Sequence, residues 1–183
     1  MSPVVIPAQM LVFVLQSGNA WDAELLTVLE KTWGPLRHKG DWHPFDQTNY
    51  YQAEMGANLH RAVASFDCLI DPSRIAAEKL RSIAVEGIWT GEAGGRKFNF
   101  DIGYMDPDKV VLPSCKQGPW KVYWGEGIWL DIVMHYAKGH FDGSPWSFED
   151  FVRNPYQRDL LLIREKYKKS LKAKDSSSPG VQQ

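Results

Sequence analysis

The stretch Arg96-Lys-Phe-Asn-Phe-Asp-Ile-Gly-Tyr104 constrains this chain more than any other. Side chains of an extended strand alternate between two faces, so Phe98, Phe100, Ile102 and Tyr104 fall on one side and Asn99, Asp101 and Gly103 on the other. Four large apolar residues in strict alternation need a packed layer over their face. The opposite face is polar, and it is the natural place to look for a site.

The rest of the chain supplies the packing partners. Met10 to Leu15 reads as a fully buried strand. Ser17-Gly-Asn19 reads as a turn and cap for a helix whose buried face carries Trp21, Leu25, Val28, Leu29 and Thr32, ended by Gly34-Pro35. An extended arm with a strand follows from Pro35 to Asp46, then a short helix or loop from Asp46 to Gly56. Leu59 to Ile70 returns as a strand, with Val63, Ser65 and Asp67 opposed to Ala64, Phe66 and Cys68.

Asp71-Pro72 is a helix-start signal, and Ala76, Leu80, Ile83 and Gly87 then recur at helical spacing, which predicts that Leu80 and Ile83 face the sheet. Gly91 to Gly95 reads as a turn and Lys109 to Ser114 as a strand. Lys121 to Trp124 and Ile128 to Tyr136 form a hairpin across Gly125-Glu-Gly127, with Ile128, Leu130, Ile132, Met134 and Tyr136 on one face. Asn154-Pro155 opens a last helix with Tyr156, Leu160, Ile163, Tyr167 and Leu171 as its buried stripe.

The order strand, helix, strand, strand, helix, strand predicts an α+β fold. The specific expectation is a ferredoxin-like split βαβ sheet extended by a C-terminal β-hairpin and a terminal helix, and a mixed sheet with another strand order is the alternative. One domain over residues 1–172 is expected, followed by a polar tail, 173–183, with too little apolar surface to order itself.

Charge excludes some functions. Lys plus Arg number 21 against 22 Asp plus Glu, so no whole-chain field draws this protein onto nucleic acid or an anionic membrane. The run Met10 to Leu15 is too short to span a bilayer, and no cationic segment with a secretory core opens the chain, which makes a cytoplasmic location the expectation. Cys68 and Cys115 have neither CxxC spacing nor companions, so a disulfide framework and a zinc ribbon are both unsupported. Eight Trp, seven Tyr and eight Phe are enough either to fill the core or to build a stacking surface.

Two sets of residues have site chemistry. Asp46, Tyr50, Tyr51 and Glu54 combine carboxylates with phenols, and in a helical turn Tyr50 and Glu54 share a face while Asp46 caps it. Arg96, Asn99, Asp101, Lys116 and Lys121 combine cations and an amide with a carboxylate that orients them, a set suited to phosphate or carboxylate. Arg96 counts against this grouping by parity, since it lies two residues before Phe98. His135 and His140, with four residues between them, and Asp41-Trp-His43 match no metal or nucleophile pattern, so no metal site is expected.

At Pro44-Phe-Asp-Gln-Thr-Asn-Tyr-Tyr-Gln-Ala-Glu-Met-Gly56 the chain resembles the bacterial family known as domain of unknown function 4416. The resemblance continues through Ser65-Phe-Asp-Cys-Leu-Ile-Asp-Pro72, Asn99 to Tyr104, Val110-Val-Leu-Pro-Ser114, Tyr123-Trp-Gly-Glu-Gly-Ile128 and Pro145-Trp146. The family pattern has Pro at the position of Ile102 and Glu at that of Asp131. The resemblance implies no reaction and no cofactor, and Gly91 to Lys97 is not a phosphate-binding P-loop, because Arg96 stands where the loop needs glycine and a strand follows Lys97.

The functional expectation is therefore binding, with or without turnover, of a small anionic and phosphorylated ligand between the Asp46 to Glu54 segment and the face bearing Arg96, Asn99, Asp101 and Lys116. The alternative is a non-enzymatic RNA-interacting or protein-interaction module.

Overall fold

The computed structural model describes residues 5–90 and 94–177, with side chains through residue 174. A nine-stranded antiparallel sheet runs through the middle. Its first strand, β1 (Ala8–Ser17), is buried at all but its last residue, because helices cover both faces.

On one face α1 (Ala23–Trp33) places Leu25, Val28, Leu29 and Trp33 on Val12, Val14, Phe98, Phe100 and Ile102. The cap of α1 is Asp22, whose Oδ1 accepts the Leu25 amide at 2.8 Å. Ser17-Gly-Asn19 does not cap it, because β1 continues to Ser17 and the chain needs the intervening residues to turn. Gly34 ends the helix at φ 94°, a left-handed value that favours glycine.

The strands β2 (Leu36–Lys39), β3 (His43–Pro44) and β4 (Leu59–Ile70) follow, with the short helix α2 (Gln52–Met55) before β4. After a 3-10 turn at Pro72–Arg74 comes α3 (Ile75–Ile88), then β5 (Phe98–Met105) and β6 (Lys109–Ser114). The hairpin β7 (Val122–Gly125) and β8 (Ile128–Ala137) turns through Glu126 and Gly127, both at positive φ, the geometry that matches strand twist. The last elements are β9 (His140–Gly143), α4 (Glu149–Arg153) and α5 (Gln157–Ser177). Along the sheet the order is β2-β4-β1-β5-β6-β8-β7, with β3 also on β4 and β9 also on β8.

The second face is covered by α4 and α5, whose Phe151, Leu160 and Ile163, together with Tyr156, pack on Leu11, Phe13, Val63 and Met134. α5 continues past Lys172, where the polar tail was expected to begin, to Ser177; residues 178–183 of that tail lie outside the described residues. So do 91–93 of the Gly91 to Gly95 turn.

Two faces differ from the sequence reading. In α3, Leu80 and Ile83 are each 41% exposed, while Ile75, Glu78, Ser82 and Glu86 face inward. Apolar spacing gave the wrong phase because two inward positions are carboxylates with dedicated partners: Glu78 Oε2 accepts the Trp33 indole N–H at 3.0 Å, and Glu86 Oε1 accepts the Phe100 amide at 2.7 Å. In β8 the register against β6 jumps from Val110↔Met134 to Val111↔Ile132. That bulge buries both Val133 and Met134 and leaves Ile132 exposed, so one apolar face is not continuous. The short β9 and α4 carry no strong periodic signal and were not expected.

Candidate functional site

The cleft is made by a split in the sheet. β5 pairs with β1 at every residue from Phe98 to Met105, but with β6 only at Tyr104↔Val111 and Met105↔Val110. Beyond that point the two strands part. The C-terminal half of α3 covers part of the gap, and Glu86 satisfies the Phe100 amide on this edge of β5. A cleft of about 460 Å³ occupies the remainder.

Asn99 and Asp101 of β5 line one side, Ser114 of β6 and Asp131 of β8 the other, and Lys79 and Glu86 reach in from α3. Tyr50 and Tyr51, from the segment before α2, and Lys116 and Lys121, from the loop after β6, complete it with Arg96. Of the nine residues singled out from sequence, Tyr50, Tyr51, Arg96, Asn99, Asp101, Lys116 and Lys121 line this cleft. Glu54 lies just outside and reaches it through Arg96. Asp46 is exposed, accepts a hydrogen bond from its neighbour Gln47 at 2.9 Å and lines no part of the cleft. Nor does it cap α2, which begins after Tyr51 without a side-chain cap.

Arg96 is the hub of the floor. Its Nε and Nη2 donate to the two oxygens of Glu54 at 2.6 and 2.9 Å, a forked pair, and its Nη1 donates to Glu86 Oε2 at 2.7 Å and to Asn99 Oδ1 at 2.9 Å. Hydrogen bonds from Arg96 hold the Glu54 carboxyl below its usual range. Glu86 lies above its own, because burial outweighs the Phe100 amide, Lys79 and Arg96. The approach of the loop to α2 requires Gly95, where a Cβ would run into the Glu54 carbonyl. The guanidinium thus already engages two carboxylates and an amide oxygen of its own chain.

Asp101 belongs to a second network. Arg61, on β4, donates to Asp101 and to Asp150 Oδ2, the latter at 2.8 Å, and Tyr156 Oη donates to the same Asp150 oxygen at 2.8 Å. Burial works to lower the Arg61 pKa, but the two carboxylates outweigh it and the group stays charged. The rings of Phe13, Phe45 and Phe151 surround it, the last with its centroid 4.7 Å from the guanidinium carbon. Beside this network Tyr51 is pushed up to about 12, by burial first and by Asp101 second, so it is a hydrogen-bond donor at neutral pH.

The mouth has the opposite charge. Lys116 Nζ lies 2.9 Å from Tyr50 Oη and 4.5 Å from the centre of its ring, and this hydrogen bond lowers the Tyr50 pKa. Lys121 Nζ donates to Ser114 Oγ at 3.1 Å and stands 3.8 Å from Asp131. Asp131 is raised by burial, against the Trp146 indole N–H and Lys121.

Sequence reading missed Glu86, Asp131 and Lys79 as site residues. Only Asp131 left a signal, in the family motif around the hairpin. His135, near the end of β8, and His140, at the start of β9, lie 3.8 and 3.0 Å from Asp142, and the described residues contain no group of three or more metal-capable side chains. No helix among them is long and apolar enough to cross a membrane.

An antiparallel sheet split around a cleft with a cationic mouth and an acidic floor defines an α+β domain built around a polar pocket. The family model for domain of unknown function 4416 matches residues 6–167, and the chain belongs to that family. No curated protein and no solved structure matches it.

Proposed function

We propose that the cleft binds a small phosphorylated ligand with hydroxyl groups, of the sugar-phosphate kind, in a soluble cytoplasmic protein of ferredoxin-like topology. The β2-β4-β1-β5 order, with α1 and α3 on one face, supports the topology. The single observation that carries the ligand reading is Asn99. Asn99 lines the cleft while only 5% exposed, its Oδ1 is fixed by Arg96, and its buried Nδ2 has no hydrogen-bond partner among the described residues. A buried amide donor without an acceptor is costly, and a ligand oxygen would satisfy it. In this reading Lys116 and Lys121, with the Ser114 hydroxyl, take the phosphate at the mouth. Asp101 and Glu86 accept from hydroxyls below.

The test is a thermal-shift series with inorganic phosphate and a panel of sugar phosphates at low salt, followed by calorimetry on wild type and Lys116→Ala. Loss of the lysine should weaken a genuine hit by about 1.5–3 kcal/mol, the range for a charge-assisted hydrogen bond. If no anion stabilises the wild type, or if a hit binds the variant equally well, the reading fails.

A further inference from the structure

The two edges of the sheet are protected very differently. At one end β2 reads Leu-Arg-His-Lys, and α5 is tied to it: Arg37 donates to Ser170 at 2.5 Å and Lys166 donates to the Arg37 carbonyl at 3.0 Å. Charge and a covering helix are the usual devices that stop an edge from pairing with another chain. At the other end β7 reads Val-Tyr-Trp-Gly, hydrogen-bonded only to β8 on its inner side. Its four residues include no charge and no proline, and among the described residues no helix lies along it; a register shift between Tyr123 and Gly125 is its one irregularity.

Both faces of that edge are apolar and open. Tyr123 is on the face of Trp129, with ring centroids 5.1 Å apart. Val122, paired with Leu130, lies on the opposite face, and the indole of Trp124, at the register shift, reaches the Ser73 carbonyl at 3.4 Å. Trp120, just before the strand, stacks on Trp146 at 5.1 Å. Trp120, Tyr123, Trp124, Trp146 and Phe148 are each between 45% and 62% exposed. Taking about 200 Å² for an aromatic side chain, they leave roughly 500 Å² of ring surface open. Val122 at 66% and the free backbone edge add to it. The total approaches the ~800 Å² per partner of a standard interface and is large for a surface that stays in water.

We infer that β7 pairs with β7 of a second copy of this chain, antiparallel about a two-fold axis, to give one sheet continuous through the dimer. The occupant is a second copy because the strand is its own complement. An axis through Tyr123 sets Val122 opposite the partner's Trp124 and Tyr123 beside the partner's Tyr123, and the outer N–H and C=O groups of both strands are satisfied together. Phe148 also lines the cleft, so the second copy borders its mouth. The inference stands apart from the identity of the cleft ligand.

Sedimentation equilibrium of the full chain across a hundredfold concentration range tests it. The expected result is a mass of twice 20.8 kDa at high concentration, with the dissociation constant raised at least tenfold by Tyr123→Lys and by Val122→Lys. Hydrogen exchange on the wild type is the second measurement, because it needs no variant to fold: the amides of β7 should gain protection as concentration rises. A chain that remains monomeric throughout, or a dimer in which neither variant dissociates and β7 exchange ignores concentration, overturns the inference.

Discussion

Arg96→Ala probes the floor of the cleft directly. The side chain is 30% exposed, but the groups it satisfies differ in depth: Glu54 is partly in water, whereas Glu86 is 3% exposed. Losing the contact to Glu54 costs no more than a surface pair, at most about 1 kcal/mol. Stranding a buried carboxylate typically costs about 3–5 kcal/mol. Here the Phe100 amide still holds one Glu86 oxygen, so the expected total is about 2–4 kcal/mol. Urea unfolding at pH 7, with the slope checked for constancy, gives the number. The mechanism also fixes a sign with pH. A carboxyl whose folded pKa is raised binds its proton more tightly in the folded state, so its contribution to stability falls as pH rises from its unfolded pKa through the folded one. Burial already raises Glu86, and losing Arg96 raises it further. The gap between variant and wild type should therefore narrow as the solution is acidified from pH 7 towards the ordinary carboxylate range, and Glu86→Gln should remove most of it. A loss below about 0.5 kcal/mol, or one that persists unchanged in the Glu86→Gln background, would refute the reasoning.

Three further outcomes follow from the packing. Leu80→Ala should cost less than about 1 kcal/mol, because Leu80 lies on the outer face of α3, whereas Ile75→Ala, at a fully buried position, should cost about 2–5 kcal/mol; chemical denaturation of both variants checks the helix phase. Gly95→Ala should cost about 1–3 kcal/mol by forcing the loop off the Glu54 carbonyl, read as a drop in melting temperature that Arg96→Ala partly masks when the two are combined. Arg61→Ala should cost about 3–5 kcal/mol, because it strands Asp150 in the core with Tyr156 as its remaining side-chain donor; failure to see at least 2 kcal/mol by urea unfolding would mean that water replaces the guanidinium.

The strands were the most legible part of the fold. β4 and β6 match their sequence readings residue for residue, because a strand's faces follow from counting by two and the end of β4 from Asp71-Pro72. The helix α3 was placed but misphased. Counting apolar residues assumes that inward positions are apolar, and Glu78 and Glu86 break the assumption by making the indole and amide contacts that hold the helix to the sheet. β8 failed for a different reason. One inserted residue reverses every face after it, and a bulge is decided by its partner strand, which local sequence does not reveal.

The same distinction explains the site. Asn99 and Asp101 were legible because they lie within β5, where alternation applies, and the two tyrosines because their motif is dense. Arg96 was assigned against parity, and the structure shows why parity has no hold on it: β5 begins at Phe98, and Arg96 precedes it in an isolated bridge to Thr90. Freed from the pleat, the side chain turns to the polar side and meets Glu54, 42 residues earlier. That contact is what the sequence could not price. An arginine near a polar strand face suggests an anion site, yet two carboxylates from α2 and α3 reach it first, and in the function proposed above the cationic work of the cleft passes to Lys116 and Lys121 on the loop after β6. A charge is available to a ligand only after its own protein has finished with it, and that balance is set by tertiary contacts.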